Sequence, residues 1–344
     1  MNANATMAAL RSRPLTWVVT GAAGFIGSHL VETLLGLDQR VVGLDNFSAG
    51  HRRNLDQLEQ RCRPPQWARF RFVQGDICAL SDCREVCAGA DVVLHHAALC
   101  SVPASIDDPL LAHASNATGF VNLLVAARDA GVQRLVYASS SAVYGDNPAL
   151  PALEEAVPAP LSPYASNKLL NEVYASVFAR CYGLTTVGLR YFNVFGQRQD
   201  PAGAYAAVIP AWIAGMLRGA AVPINGDGET SRDFCHVDNV VQANLLAATT
   251  TNPQALNQVY NIASGERVSL NQLFATIRDE LKSRFPELAV AAPDFRAFRA
   301  GDVRHSQADI GKARRLLGYA PTVAFAAGLA DAIGGYVTAI EREP

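Results

Sequence analysis

The sequence predicts an α/β protein built on a doubly wound parallel sheet, with a smaller, partly inserted C-terminal domain. Three observations carry that expectation. Short apolar, β-branched runs alternate with segments of helical periodicity through the N-terminal half; a glycine-punctuated turn joins the first run to the first helix; and the alternation breaks down after about Gly196. At 344 residues the chain is long enough for two domains.

Element by element, Leu15 to Val19 is the first buried strand, and Phe25, Ile26, Leu30 and Leu34 then recur at helical spacing, with Gly36 marking the helix end. "RVVGLD" is the second strand, completing β-α-β within about 30 residues. "FRFVQGD" and "DVVLHHAA" read as the third and fourth strands, with a helix from Leu80 to Ala88 between them. A long apolar-striped helix is expected from Asn116 to Ala130. "RLVYASS" follows as the fifth strand, Tyr164 to Cys181 as a helix and "TTVGLRYFNV" as the sixth strand. Beyond Gly196, "GQRQDPAGAYAAVIPAWIAGMLRG" is a Pro/Gly-punctuated loop leading into a helix, "PINGDGETSRDFCHVDNVVQANLLAAT" a tight turn, a polar strand and a helix, and "QVYNIASG" a late strand; Leu270 to Phe285 and "ADIGKARRLLGY" are helical. The expected division is a flexible lead at 1–14 and a Rossmann-type nucleotide-binding domain at 15–195, to which 235–265 return. Residues 196–234 and 266–344 form a smaller substrate domain closing over the carboxyl ends of the strands.

Composition limits the function. Half of the residues are apolar and 17% are charged, which excludes fibrous, disordered and disulfide-stapled classes. Lys and Arg number 29 against 31 Asp and Glu, a net charge of −2, so no bulk field draws the chain to nucleic acid or to an anionic membrane. The seven cysteines are odd in number, in a chain too large to need stapling, and none forms a paired metal knuckle; a reducing, cytoplasmic setting without metal is expected. The N-terminus lacks the pattern of a secretory leader, and no stretch approaches the ~20 apolar residues of a membrane span.

The strongest local motif is Gly21-Ala-Ala-Gly24-Phe-Ile-Gly27, between a strand and a helix. Gly21 permits the tight turn, Gly24 lets backbone approach a pyrophosphate, and Gly27 lets the helix pack on the sheet. The helix offers unpaired N–H groups and its positive dipole end to phosphate. Asp45 closes the second strand, 18 residues beyond Gly27, where a carboxylate accepts both ribose hydroxyl bonds and repels a 2′-phosphate. NAD is therefore favoured over NADP, with Arg52 and Arg53 as the candidates for rescuing a phosphate. Asp76, after the third strand, suits the adenine edge or a helix cap, and Ala97 and Ala98 leave room for a cofactor beside the fourth.

Tyr164 and Lys168 are i and i+4 and emerge on one helical face. A free phenol titrates near 10, too high for a base at neutral pH, and a neighbouring ammonium favours its ionised form. Ser140 or Ser141, at the fifth strand's end, is placed to share the proton bond to a substrate oxygen.

These motifs resemble the extended short-chain dehydrogenase/reductase family. More narrowly, "GLRYFNVFGQRQDPAGAYAAVIP", "INGDGETSRDFCHVDNV" and "FRAGDVRHSQADI" are similar to segments of the bacterial UDP-N-acetylglucosamine/UDP-N-acetylgalactosamine 4-epimerases of surface-polysaccharide synthesis, over essentially residues 15 to 335. The resemblance implies tightly held NAD⁺ that oxidises the sugar at C4, a 4-keto sugar that turns in the pocket, and return of hydride to the other face. It makes Tyr164 the base, Lys168 its partner and contact to the nicotinamide ribose, and Ser140 the residue orienting O4. Ser141 then lies nearer the N-acetyl group; the serine run leaves the two open by one position. The implied cofactor set is Gly21, Gly24, Phe25, Ile26, Gly27, Asp45, Asn46, Ser48, Gly50, Asp76, Ile77, Ala97, Tyr164, Lys168 and Tyr191. The implied UDP-sugar set is Ser101, Ser141, Asn193, Gln199, Tyr205, Ala206, Val208, Arg232, Arg299, Asp302 and Ser306. The arginines suit the diphosphate, Asp302 the ribose, and Ser306 leaves space beside C2 for an acetamido group where related galactose epimerases can carry tyrosine. Cys100 departs from the "AALGSVP" pattern of close relatives. Dehydratases of the family carry Thr-Asp-Glu before VYG, and UDP-glucuronate decarboxylases usually keep a Glu. Here Ser140-Ser141-Ala142 stand instead, removing the acids elimination needs; another NAD-dependent nucleotide-sugar enzyme, a decarboxylase or 4,6-dehydratase, is the alternative. A homodimer through the Asn116–Ala130 and Tyr164–Cys181 helices is the implied assembly.

Overall fold

A computed structural model describes residues 3–201, 207–298 and 303–341. Seven strands form the central sheet: β1 (Thr16–Thr20), β2 (Arg40–Asp45), β3 (Phe70–Gln74), β4 (Val92–His95), β5 (Arg134–Ser140), β6 (Thr186–Tyr191) and β7 (Gln258–Ile262). Their order is β7-β6-β5-β4-β1-β2-β3, and every neighbouring pair is parallel. The order reverses between β1 and β4, which opens a crevice at the carboxyl ends of the strands.

Both faces are covered because successive strand side chains point to opposite sides. Trp17 and Val19 face α2 (Phe25–Gly36) and α8 (Val237–Thr249), in a core with Leu30, Leu34, Leu189, Leu245 and Tyr260. Val18 joins Val93, Leu135 and Tyr137 against α4 (Leu80–Cys87), α5 (Gly119–Asp129) and α6 (Pro163–Tyr182), where Phe120, Leu123 and Phe178 pack. A third core lies between α7 (Val208–Leu217), α9 (Leu270–Arg284) and α11 (Phe325–Glu341), built from Trp212, Ile213, Phe274, Ile277, Leu329 and Tyr336. Its members come from 195–234 and 268–337. One stretch behaves otherwise: Ala308, Ile310, Ala313, Leu317 and Tyr319, around α10 (Gly311–Leu317), pack into the core of the large sheet.

Three local expectations are corrected. The lead expected to be flexible contains α1 (Ala3–Ser12), whose Thr6 and Leu10 are buried, and Gln39 donates to the Leu10 carbonyl at 2.8 Å. The sixth strand stops at Tyr191. Asn193 turns to φ +31°, and Val194–Phe195 pairs instead with Cys235–His236. Helix also begins well before Asn116: Pro109–His113 is α-helical and Ala114–Thr118 is a π turn leading into α5. By length and composition the stretch Pro109–Asp129 meets the test for a membrane span, against the sequence expectation, yet half of it is buried within the fold, as in a core helix. None of the seven cysteines forms a disulfide.

Candidate active site

The glycine loop is shaped by lack of side chains. Gly21 has φ +70°, and a Cβ there would lie 2.8 Å from Ala97 N; a Cβ on Gly27 would collide with the Gly21 carbonyl. Gly24 precedes Phe25 and Ile26, the first residues of α2, and no side chain caps that helix, so its first N–H groups face the crevice. This cradle fits a pyrophosphate.

Asp45 braces the loop from β2. Its Oδ2 accepts Ala23 N–H at 2.9 Å and its Oδ1 accepts Phe47 N–H at 2.8 Å. Burial raises its carboxyl above the usual value and these bonds pull it back. Each oxygen keeps acceptor capacity for a ribose hydroxyl, and a Cβ on Gly50 would crowd it at 2.8 Å. In the following loop Ser48 N–H bonds Asn46 Oδ1, and Asn46 Nδ2 donates to Asp76 Oδ2 at 2.9 Å. Burial acts to raise Asp76, but bonds from Cys78 N–H and Asn46 outweigh it and hold the carboxyl below its ordinary value. Ile77 is buried against Gly119. Ala97 N–H donates to Thr20 Oγ1 at 3.2 Å. The Tyr191 hydroxyl is held by His96 at 2.9 Å and by Asn244 at 2.8 Å, so it positions the end of β4 from beneath. Arg52 pairs with Asp56 and Arg53 with Asp200, which occupies both candidates for a 2′-phosphate.

The three serines at the end of β5 go to different places. Ser139 Oγ donates to Glu172 Oε1 at 2.5 Å inside the core. Ser140 accepts Ala142 N–H at 3.2 Å, and its hydroxyl acts to lower the Tyr164 phenol. Ser141 opens a 3₁₀ turn (Ser141–Tyr144) and is half-buried. Ser162 caps α6 through Ala165 N–H, and Pro163 occupies its first turn, so Tyr164 and Lys168 sit at the end nearest the crevice. Lys168 Nζ lies 5.8 Å from the Tyr164 ring centre and donates to the Ala138 carbonyl at 2.9 Å. Burial lowers Lys168 to about 8, with Cys100 opposing. Burial drives Tyr164 well above the normal phenol value, Cys100 adds to this, and the Ser140 bond opposes it. Burial thus favours the protonated phenol, and added positive charge beside it favours ionisation.

On the substrate side, Ser101 caps the helix Val102–Asp107 through Ala104 N–H. Cys100 beside it is solvent-accessible, and burial among its surroundings raises its thiol, as for the wall of a cleft. Asn193 Nδ2 donates to the Asp233 carbonyl at 3.0 Å, Gln199 Oε1 accepts from Tyr336 OH at 2.9 Å, and Val208 begins α7. Two motif segments distant in sequence are joined: Ser306 N–H donates to the Ser231 carbonyl at 3.0 Å and Ser231 N–H to the Arg304 carbonyl at 2.9 Å, while Arg232 Nη1 reaches the same Arg304 carbonyl. Tyr205, Ala206, Arg299 and Asp302 lie outside the described residues. Among the described residues no cluster of His, Cys, Asp or Glu is arranged to hold a metal.

Several positioning groups escaped the sequence. Asn116 clamps Leu99 by two bonds, 2.8 and 2.9 Å, fixing the segment that carries Cys100 and Ser101. Ser105 Oγ accepts Tyr164 N–H at 3.1 Å. Glu172 takes Ser139 and a buried Arg190, whose Nη2 lies 2.7 Å away; Arg190 continues to the Tyr144 hydroxyl at 2.8 Å, and that hydroxyl to Asn261 at 2.6 Å. An Asn in an apolar helix and an Arg in an apolar strand were the available signals.

Sheet order, glycine cradle and the Tyr–Lys pair together define an enzyme of the dinucleotide-dependent α/β class. The model of the NAD dependent epimerase/dehydratase family matches residues 17–263, and the chain belongs to that family. It is an NAD-dependent enzyme of nucleotide-sugar chemistry at C4. A UDP-glucose 4-epimerase of Mycolicibacterium smegmatis is 39% identical over 322 residues, covering 92% of this chain and 96% of the relative. Among solved structures, a UDP-N-acetylglucosamine 4-epimerase from Methanobrevibacter ruminantium, in complex with UDP-N-acetylmuramic acid, is 36% identical with a TM-score of 0.86, covering 95% of this chain and 99% of that one. A Thermus thermophilus UDP-glucose 4-epimerase, solved in complex with NAD, is 32% identical with a TM-score of 0.80, covering 94% of this chain and all, 100%, of that one.

Proposed function

We propose that the protein is a 4-epimerase that interconverts UDP-N-acetylglucosamine and UDP-N-acetylgalactosamine, with weaker action on UDP-glucose and UDP-galactose, supplying precursors for surface polysaccharide. The carrying observation is Tyr164 flanked by Lys168, whose Nζ lies 5.8 Å from the ring centre, with Ser141-Ala142 where a dehydratase needs acids. NAD⁺, when bound, supplies the hydride acceptor for C4 and a positive charge beside the phenol. Tyr164 takes the O4 proton as that charge stabilises phenolate, Ser140 holds O4 in line, and Lys168, anchored to Ala138, adds its cation. After the 4-keto sugar turns in the cleft, Tyr164 returns the proton. Asp45 receives the adenosine ribose, and Arg232 and Arg299 the diphosphate, while Asp302 takes the uridine ribose and Ser306 leaves room for the acetamido group.

The division into a nucleotide-binding unit and a smaller substrate unit belongs to this reading, as does a cytoplasmic setting, which seven unpaired cysteines suit. So does a homodimer: exposed Leu110 and Leu111 before α5, with Val173 and Tyr174 on α6, supply apolar surface for a second copy. A second reading has its own support, because the relative named for UDP-glucose is the more identical, 39% against 36%. Incubation of purified protein with each of the four UDP-hexoses, with C4 configuration followed by NMR, decides between them. C4 inversion fastest on the acetamido pair is expected. Faster UDP-glucose turnover transfers the assignment to the second reading, and a 4-keto-6-deoxy product or loss of carboxylate from UDP-glucuronate ends both.

A further inference from the structure

Asp233 is fully buried beside Arg232 and contacts no other charged side chain at hydrogen-bond distance among the described residues. Its carboxylate is instead spent on two other chain segments. Oδ1 accepts Ser264 N–H at 3.0 Å, Ser264 Oγ–H at 2.7 Å and Gly265 N–H at 3.3 Å; Oδ2 accepts Gly265 N–H at 3.1 Å and Ala308 N–H at 3.2 Å. Its backbone is committed as well, since its carbonyl accepts from Asn193 Nδ2 at 3.0 Å. One residue thus ties the strand bearing Arg232 to the loop after β7, to the segment two residues beyond Ser306, and to Asn193 at the end of β6.

A buried carboxylate is costly unless all its lone pairs are used, and this one is used almost wholly on backbone donors. Such a group is retained where relative placement of segments matters. The segments it joins are the ones that carry Asn193, Arg232 and Ser306. We propose that Asp233 is the positioning residue of the nucleotide-diphosphate site: it sets the spacing of Arg232, Asn193 and Ser306, and so governs affinity for the UDP moiety without touching it. This inference rests on the UDP-sugar reading above.

Asp233→Asn is a discriminating change. An amide keeps the shape but has one acceptor end, so whichever way it turns, its NH₂ faces backbone N–H donors that the second oxygen now satisfies. UDP affinity, measured by calorimetry on NAD-loaded protein, is expected to fall about tenfold or more, and KM for the UDP-sugar to rise in step. Turnover at saturation and copurifying NAD are expected to stay near wild type, because Tyr164, Lys168 and the glycine loop are untouched. Ser264→Ala removes a single bond to the same carboxylate and is expected to weaken UDP about threefold; it stands as the test if Asp233→Asn does not fold. Unchanged UDP affinity in the folded variants overturns the inference, as does a loss confined to kcat. Wild-type protein that does not bind UDP overturns instead the reading on which it rests.

Discussion

Lys168 and Ala138 are joined across the boundary of helix and strand: the ammonium donates to the strand carbonyl at 2.9 Å, two residues before Ser140. The bond does more than neutralise a buried donor. It fixes the cation relative to the strand end that carries Ser140, so strand and helix present their groups in one frame. An ammonium has three donors, and two remain for a ribose and the phenol.

The cost of burying that cation gives a pH signature. Lys168 is lowered to about 8 by burial, from the ordinary lysine value of 10.5, so below pH 8 the folded state carries a charge that water would hold better. Between about 8 and 10.5 the folded state sheds the proton while the unfolded chain keeps it, and this group's contribution to stability rises with pH. Activity runs the other way. The kcat/KM of NAD-loaded protein is expected to decline above about pH 8, and Lys168→Met to lose turnover yet melt no lower than wild type at pH 7. A flat activity profile to pH 10, with the variant melting well below wild type, contradicts this.

Removing the phenolic proton alone isolates the base. Tyr164→Phe is expected to keep fold and copurifying NAD while turnover falls by about two to four orders of magnitude. Mass spectrometry of the released nucleotide checks occupancy, and NADP found in place of NAD counts against the role given to Asp45.

Ser140 and Ser141 separate by variant. Ser140→Ala removes the hydroxyl that acts to lower the Tyr164 phenol and is expected to lower kcat by about 10²-fold. Ser141→Ala is expected to leave kcat within about threefold and to alter the preference between acetamido and hydroxyl sugars. Equal losses in the two variants refute the division.

The Glu172–Arg190 pair is a stability device. The two side chains are 8% and 5% exposed and meet at 2.7 Å, so Glu172→Gln leaves a guanidinium buried without its counter-charge. A loss of about 3 to 5 kcal/mol is expected, read as a lower urea midpoint with unchanged slope. A midpoint like that of wild type means that water or a second carboxylate reaches Arg190.

Ser306→Tyr tests the sugar pocket. A ring beside C2 is expected to reduce kcat/KM for UDP-N-acetylglucosamine and UDP-N-acetylgalactosamine more than for UDP-glucose and UDP-galactose. Parallel change in all four removes Ser306 from the specificity gate.

Much of this was readable in the chain. The seven strands announce themselves as apolar runs, and Gly21, Gly24 and Gly27 mark the cradle because only backbone fits there. Tyr164 and Lys168 show their alignment through helical spacing. What the chain conceals is contact between distant segments. Nothing local says that Ser306 lies against Ser231, that Asp233 ties down Ala308, or that Ser139 is drawn inward by Glu172. The docking of α1 was hidden for the same reason: its partner is Gln39, a polar residue between α2 and β2, and a helix of 10 residues is too short to hold without such tertiary contacts.

The three serines that close β5 carry a warning for anyone comparing this chain with others. Chemically they are interchangeable letters. Physically, Ser139 shares a face with Tyr137 and donates to Glu172, while Ser140 accepts Ala142 N–H where the strand gives way to a 3₁₀ turn. A deletion of one serine would preserve charge and nearly every pairwise identity score, yet it would change which position feeds the interior and which meets the turn. Repetition here is not spare capacity, and an alignment that slides by one letter carries a role across to a hydroxyl held by different partners.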